Sequence, residues 1–211
     1  MMDKILQYVV ENIDLHVKWL NTLSFLENVG ARKISACEQP HSVSLIQLKH
    51  AAEEHRHAYY LKKQINKIDA SACPFYEAKD LLAARETYHY LNSLDMKCAR
   101  FLKKEFDLTG DALKYAAYLF VTYAIEVRAD ALYPIYQDVL TRNQSKVMVK
   151  SIIIEEEGHL EEMIQQLERF HPNWQQYADK IVEMETELHA NWFSAISKEV
   201  LEVITEQLTI K

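Results

Sequence analysis

The sequence predicts an all-α protein made of long helices. Three observations carry this. Only 3 Gly and 4 Pro occur in 211 residues, too few joints for a turn-rich β fold. Apolar residues recur at helical spacing along six stretches. One unusual motif, Glu-Glu-x-x-His, appears twice, at 53–57 and 155–159, each time on an apolar-periodic segment.

The first helix is expected from about Lys4 to Ala36, with Leu20, Leu23, Ala31 and Ile34 sharing a face with Glu27. Pro40 ends it, because proline cannot continue a helix. The second starts at an N-cap near Ser42 and reaches about Lys67. A third is expected over Tyr76 to Phe106. A fourth begins after Thr109 and is kinked or ended near Tyr133 by Pro134. The fifth runs from Ser145 to His171-Pro172, and a last amphipathic helix from about Trp174 to Ile210 carries Ile181, Met184, Leu188 and Trp192. All 211 residues read as one domain, with a bundle core over about 4–170 and the C-terminal helix added at about 174–210.

Composition removes several classes of function. A net charge of −7 lacks the basic face that nucleic-acid binding needs. No apolar run approaches the roughly 18 residues of a membrane span. The N-terminal stretch carries acids and no small-residue cleavage site, unlike a secretion signal. Cys37, Cys73 and Cys98 are odd in number and far apart, which suits reduced thiols in a cytoplasmic protein.

Glu-x-x-His sets a carboxylate and an imidazole on one side of a helix. With 21 Glu and 9 His, chance supplies about one match, and Glu38-x-x-His41, astride Pro40, is read as such. Glu54-x-x-His57 and Glu156-x-x-His159 are distinguished by geometry. Each follows a lone Glu set among apolar neighbours, Glu27 and Glu126. Residues that meet across an antiparallel hairpin lie equidistant from its turn. The midpoint of 27 and 54 falls near Pro40, and that of 126 and 156 near 141, beside Arg142-Asn143-Gln144. The two pairs read as two copies of one hairpin joined by the third helix. As a crossover of about 31 residues, that helix would span roughly 46 Å.

Four carboxylates converging in a core are too costly to desolvate without cations. Two divalent metals balance them. Carboxylate and imidazole donors without thiolate suit iron or manganese better than structural zinc.

The order Glu, Glu-x-x-His, Glu, Glu-x-x-His resembles the ferritin-like di-iron carboxylate superfamily over roughly residues 10–170. The resemblance implies a ferritin-like four-helix bundle with a helical crossover. It implies two Fe ions, or Mn or mixed Mn/Fe, held by Glu27, Glu54, His57, Glu126, Glu156 and His159. Glu54 and Glu156 would bridge. Glu27 would serve the metal of His57, and Glu126 that of His159. Glu53 and Glu155 would each accept the N–H of the imidazole on the neighbouring helix. Asp130, one turn after Glu126, is expected to hydrogen-bond beside the site, with Arg128 as its partner, or to add a ligand. His50, one turn before Glu54, either supports the site from behind or is an ordinary core or surface residue.

The function this implies is activation of O2 or peroxide by an oxidase or oxygenase acting on a small organic substrate, with an external electron donor and a homodimeric state. The alternative is a ferritin-like ferroxidase or storage protein. Small residues at Ser24, Gly30, Ala31 and Ala129 could leave room beside the metals; close helix packing is the other reading. A rubrerythrin-like peroxidase is disfavoured, because Ala129 stands where that family places a further Glu and no Cys-x-x-Cys pair occurs.

Overall fold

The computed structural model describes residues 1–39 and 41–209, and among these it is all-helical. Seven α-helices follow one another: α1 (Met2–Glu11), α2 (Ile13–Ala36), α3 (Leu45–Ile65), α4 (Ala84–Phe106), α5 (Gly110–Arg142), α6 (Lys150–Phe170) and α7 (Trp174–Thr209). No helix among the described residues is long and apolar enough to cross a membrane.

The expected first helix is two. Asn12 adopts extended backbone (φ −112°, ψ 115°) and its side chain accepts from the Leu15 N–H, capping α2. Ser44, not Ser42, caps α3 in the same way. Pro40 lies outside the described residues, but the linker between α2 and α3 is centred on its position.

The third helix starts late. The Asn21 amide donates to the carbonyls of both Phe75 and Asp80, and Thr22 Oγ1 accepts the Leu82 N–H. Partners on α2 thus take the backbone groups a helix would use, and 76–83 stays irregular apart from a 3-10 turn at Ala78–Asp80. At 23 residues α4 still spans about 35 Å.

Pro134 does not end α5, which continues through it to Arg142. The carbonyl it leaves without an N–H partner is that of exposed Asp130, open to water, and Pro134 itself is exposed. The second linker spans 143–149, so α6 begins at Lys150 rather than at Ser145; buried Val147 and Val149 hold the linker against the core.

Two apolar clusters lie along the helices. One holds Leu20 and Leu23 of α2, Leu61 and Ile65 of α3, Leu132 to Leu140 of α5 and Ile152 of α6. The other holds Ile34, Ala51, Ala116 to Ala124, Met163 and Leu167 of the same four helices. Chain order between the clusters makes α2 and α6 run one way and α3 and α5 the other. The crossover α4 returns the chain between α3 and α5. On each of the four helices the residues that fall between the clusters include Glu27, Glu54 with His57, Glu126, and Glu156 with His159. The fold therefore sandwiches one polar layer between two apolar ones. α7 packs mainly on α4 and α5, contributing Ile181 to one cluster and Trp192 and Ile196 to the other.

Candidate metal centre

The six residues converge. Glu27, Glu54, His57 and Glu156 form one group, and Glu54, Glu126, Glu156 and His159 a second; within each, one donor atom per residue lies within 4.8 Å of the others. Buried Glu54 and Glu156 stand in both groups.

The two shared carboxylates each divide their oxygens between the imidazoles. Glu156 Oε1 lies 3.0 Å from His57 Nδ1, and its Oε2 3.3 Å from His159 Nδ1. Glu54 Oε2 lies 3.9 Å from His57 Nδ1, and its Oε1 3.5 Å from His159 Nδ1. Glu27 Oε2 is 4.0 Å from His57 Nδ1, and Glu126 Oε1 is 3.6 Å from His159 Nδ1. Donors about 2.1 Å from a common ion stand roughly 3 to 4.2 Å apart, depending on the angle between them. All six separations lie in that range.

The opposite nitrogens are occupied. His57 Nε2 donates to Glu155 at 2.8 Å, and His159 Nε2 to Glu53 at 2.7 Å, each across to the neighbouring helix. A carboxylate at Nε2 fixes the proton there and turns the Nδ1 lone pair inward. Both Nδ1 atoms are buried and have no hydrogen-bond partner. Buried polar atoms without partners are rare; two of them aimed at one carboxylate cluster fit a pair of cations. The Glu/His groups could hold metal, and the donor set does not identify which.

The electrostatics agree. Burial first, then the nearby charges of Glu54 and Glu156, holds Glu27 well above the usual carboxylate range, against a pull from Tyr133. Burial and Glu156 do the same to Glu126. Burial would raise Glu156 too, but its close neighbours Glu126, His159 and His57 overcome it and hold Glu156 low. Burial would lower both imidazoles, yet the carboxylates around them, Glu156 for His57 and Glu126 for His159, raise them. The cluster thus retains protons that cations would displace.

Outer residues differ from expectation in places. Arg56 forms a two-pronged pair with Glu155. His50 does not bond to Glu54: its Nε2 pairs with Glu162 at 2.8 Å, its Nδ1 with Tyr118 Oη at 3.1 Å, and its ring lies 4.8 Å from that of His159. Asp130 supports nothing here. It is exposed, with no side-chain partner among the described residues, because Arg128 turns the other way, to Glu185 on α7. Tyr133 is buried and donates its hydroxyl to Glu27.

Glu-x-x-His also occurs at 86–89 and 168–171, but His89 and Glu168 are exposed, as is His41. Burial of both residues separates the two converging copies from the other three.

Beside the carboxylates lies a cavity of about 90 Å³. Glu27, Glu54, Glu126 and Tyr133 line it, with Leu23, Val121, Ile125 and Leu132 as apolar walls. Gly30 and Ala129 line it as well; Ser24 and Ala31 do not. A Cβ placed on Gly30 would meet nothing within 4 Å, so close helix packing does not account for that glycine.

Comparison with protein-family models, with curated proteins and with solved structures gave no significant match.

Proposed function

We propose that the chain is a ferritin-like two-metal carboxylate protein, di-iron or mixed Mn/Fe, that uses O2 or peroxide to oxidise a small organic substrate. One observation carries this reading: the four-Glu, two-His cluster, buried but for half-buried Glu27, has an apolar cavity against it, with Glu27, Glu54 and Glu126 in its wall. Two hairpins joined by a crossover helix support the ferritin-like assignment.

Bound there, the metals would supply the two-electron chemistry of O2 or peroxide reduction. In the oxygenase case substrate, O2, two electrons and two protons give hydroxylated substrate and water, the electrons coming from an external reductant. The protein's own part is positional. Glu54 and Glu156 each face both imidazoles, which suits bridging. Glu53 and Glu155 hold the tautomers that leave Nδ1 free to ligate. Tyr133 holds Glu27 against the cavity wall. The apolar walls exclude water from whatever lies next to the carboxylates.

An iron-storage protein also needs such a cluster, but has no use for an apolar void beside it. The test is reconstitution with Fe(II), metal analysis and O2 uptake. About two retained irons per chain, with O2 consumed once reductant and substrate are present, supports the oxidase. Accumulation of hundreds of irons in a hollow oligomer overturns it.

A further inference from the structure

The cavity has a second polar end that the carboxylate cluster does not explain. On α7, Glu185 and His189 are buried, at 1 % and 6 % exposure, between the Ile181 and Trp192 that belong to the two apolar clusters. They therefore extend the polar layer beyond the four helices that carry the carboxylates. Arg128 binds Glu185 through Nε at 2.9 Å and Nη2 at 2.8 Å, and Tyr90 on α4 donates to the same carboxylate. His189 lines the cavity with Tyr90, Arg128 and Trp192, and its Nε2 is buried without a hydrogen-bond partner.

We propose that this end of the cavity is a subsite for the uncharged hydrogen-bonding group of a slim amphiphilic substrate, a hydroxyl, carbonyl or amide on an apolar body, paired with His189 Nε2. The proposal rests on the oxidase reading for what happens next, but the binding itself does not need the metals.

Charge decides the class of group. Arg128 is neutralised by its two bonds to Glu185, so no free cation awaits an anion. The Glu185 carboxylate is likewise satisfied, by Arg128 and Tyr90, so no free anion awaits an ammonium. His189 stays neutral at physiological pH: burial, helped by Arg128, takes its pKa down to about 4. A neutral imidazole nitrogen wants one neutral partner. Size narrows the class further. The cavity offers about 90 Å³ and is not fully enclosed; that is less than the roughly 150 Å³ void that holds a benzene ring, so a slim single chain whose tail extends through the opening fits, and a ring or bulky cofactor does not. With carboxylates in one part of the wall and His189 in another, a substrate anchored at His189 presents its apolar carbons to the metal side.

The probes are 1-hexanol, hexanoate, hexylammonium and 1-chlorohexane, titrated by calorimetry against metal-free and Fe(II)-loaded protein. Hexanol should bind about tenfold more tightly than chlorohexane, and His189→Leu should remove that difference while leaving chlorohexane unchanged. Hexanoate and hexylammonium should bind more weakly than either. A ¹⁵N spectrum of the wild-type imidazoles gives a readout that does not depend on the variant folding: hexanol should move the His189 signals. Equal binding of hexanol and chlorohexane, or an unmoved His189 signal, overturns the subsite. Hexanol binding at His189 in a protein that takes up no metal keeps the subsite and removes the oxidase. Two bound irons with no response at His189 does the reverse.

Discussion

The α2–α3 and α5–α6 hairpins deliver the same residue types to one layer by different routes. In the first, Glu27 and Glu54 lie equally far from the linker, and helical rise alone brings them level. In the second, α5 runs well past Glu126, and the longer linker 143–149 carries the chain back before α6 reaches Glu156. What both hairpins share is the height of the polar layer. Linker length is free to differ so long as that height is kept. The two donor groups are also unequal in their support. Glu27 accepts from Tyr133, whereas Glu126 has no hydroxyl partner among the described residues. Glu155 is gripped by Arg56 at hydrogen-bonding distance, while Glu53 has Lys49 at 3.9 Å and Arg56 at 3.7 Å.

The largest expected effect would erase the comparison. Glu54 and Glu156 serve both groups, so Glu54→Ala and Glu156→Ala should each lose both metals. Wild type should gain about 2.7 kcal/mol per site at a hundredfold excess over Kd, a rise of roughly 5–10 °C in Tm. Calorimetry with and without Fe(II) should show most of that rise gone in either variant. An undiminished rise would mean that the cluster is not where metal binds.

Next comes the metal-free protein. A carboxyl raised in the fold stabilises it while protonated, and that contribution is lost as pH climbs from the ordinary glutamate value of 4.5 through the raised one. The raised imidazoles add in the same direction. Metal-free wild type should therefore lose stability with rising pH above 4.5, and saturating metal should restore it, most strongly at the highest pH. Glu126→Gln should flatten the metal-free slope; a slope as steep as wild type would show that Glu126 does not carry it.

Tyr133→Phe sharpens the inequality of the groups. It should weaken the metal beside His57 about tenfold and leave that beside His159 unchanged, read as two separated steps in an Fe(II) titration. Two steps shifted together would mean that the groups act as one. The smallest effect belongs to Arg56→Ala. Its pair with Glu155 is half-exposed, so metal affinity should fall by less than about fivefold.

Much of this site was legible because helical spacing is local. Glu27 and Glu126 declare themselves by their apolar neighbours, Glu54 and Glu156 by the repeated Glu-x-x-His, and Glu53 and Glu155 by preceding the candidate ligand of their own helix. The break at Asn12 had one local signal, the asparagine that caps α2 with its own side chain. The irregular stretch 76–83 was not legible, since its causes are side chains on another helix: Asn21 and Thr22 hold 75–82 from α2. The α7 cluster was missed for the same reason. Its signal is present, though, for Glu185 and His189 are two polar residues four apart on a face otherwise built of Ile181, Leu188 and Trp192.

The separation of the two hairpins along the chain bears on rates. The donors from 27 to 57 and those from 126 to 159 are joined only through α4, so neither hairpin can complete either donor group alone. Metals bound there would close a long loop and so would act late, after the crossover has brought the halves together. Interactions formed after the transition state slow unfolding and leave folding nearly unchanged. Loaded protein should then escape proteolysis far longer than its equilibrium stability alone suggests, with bound metal serving as a kinetic latch.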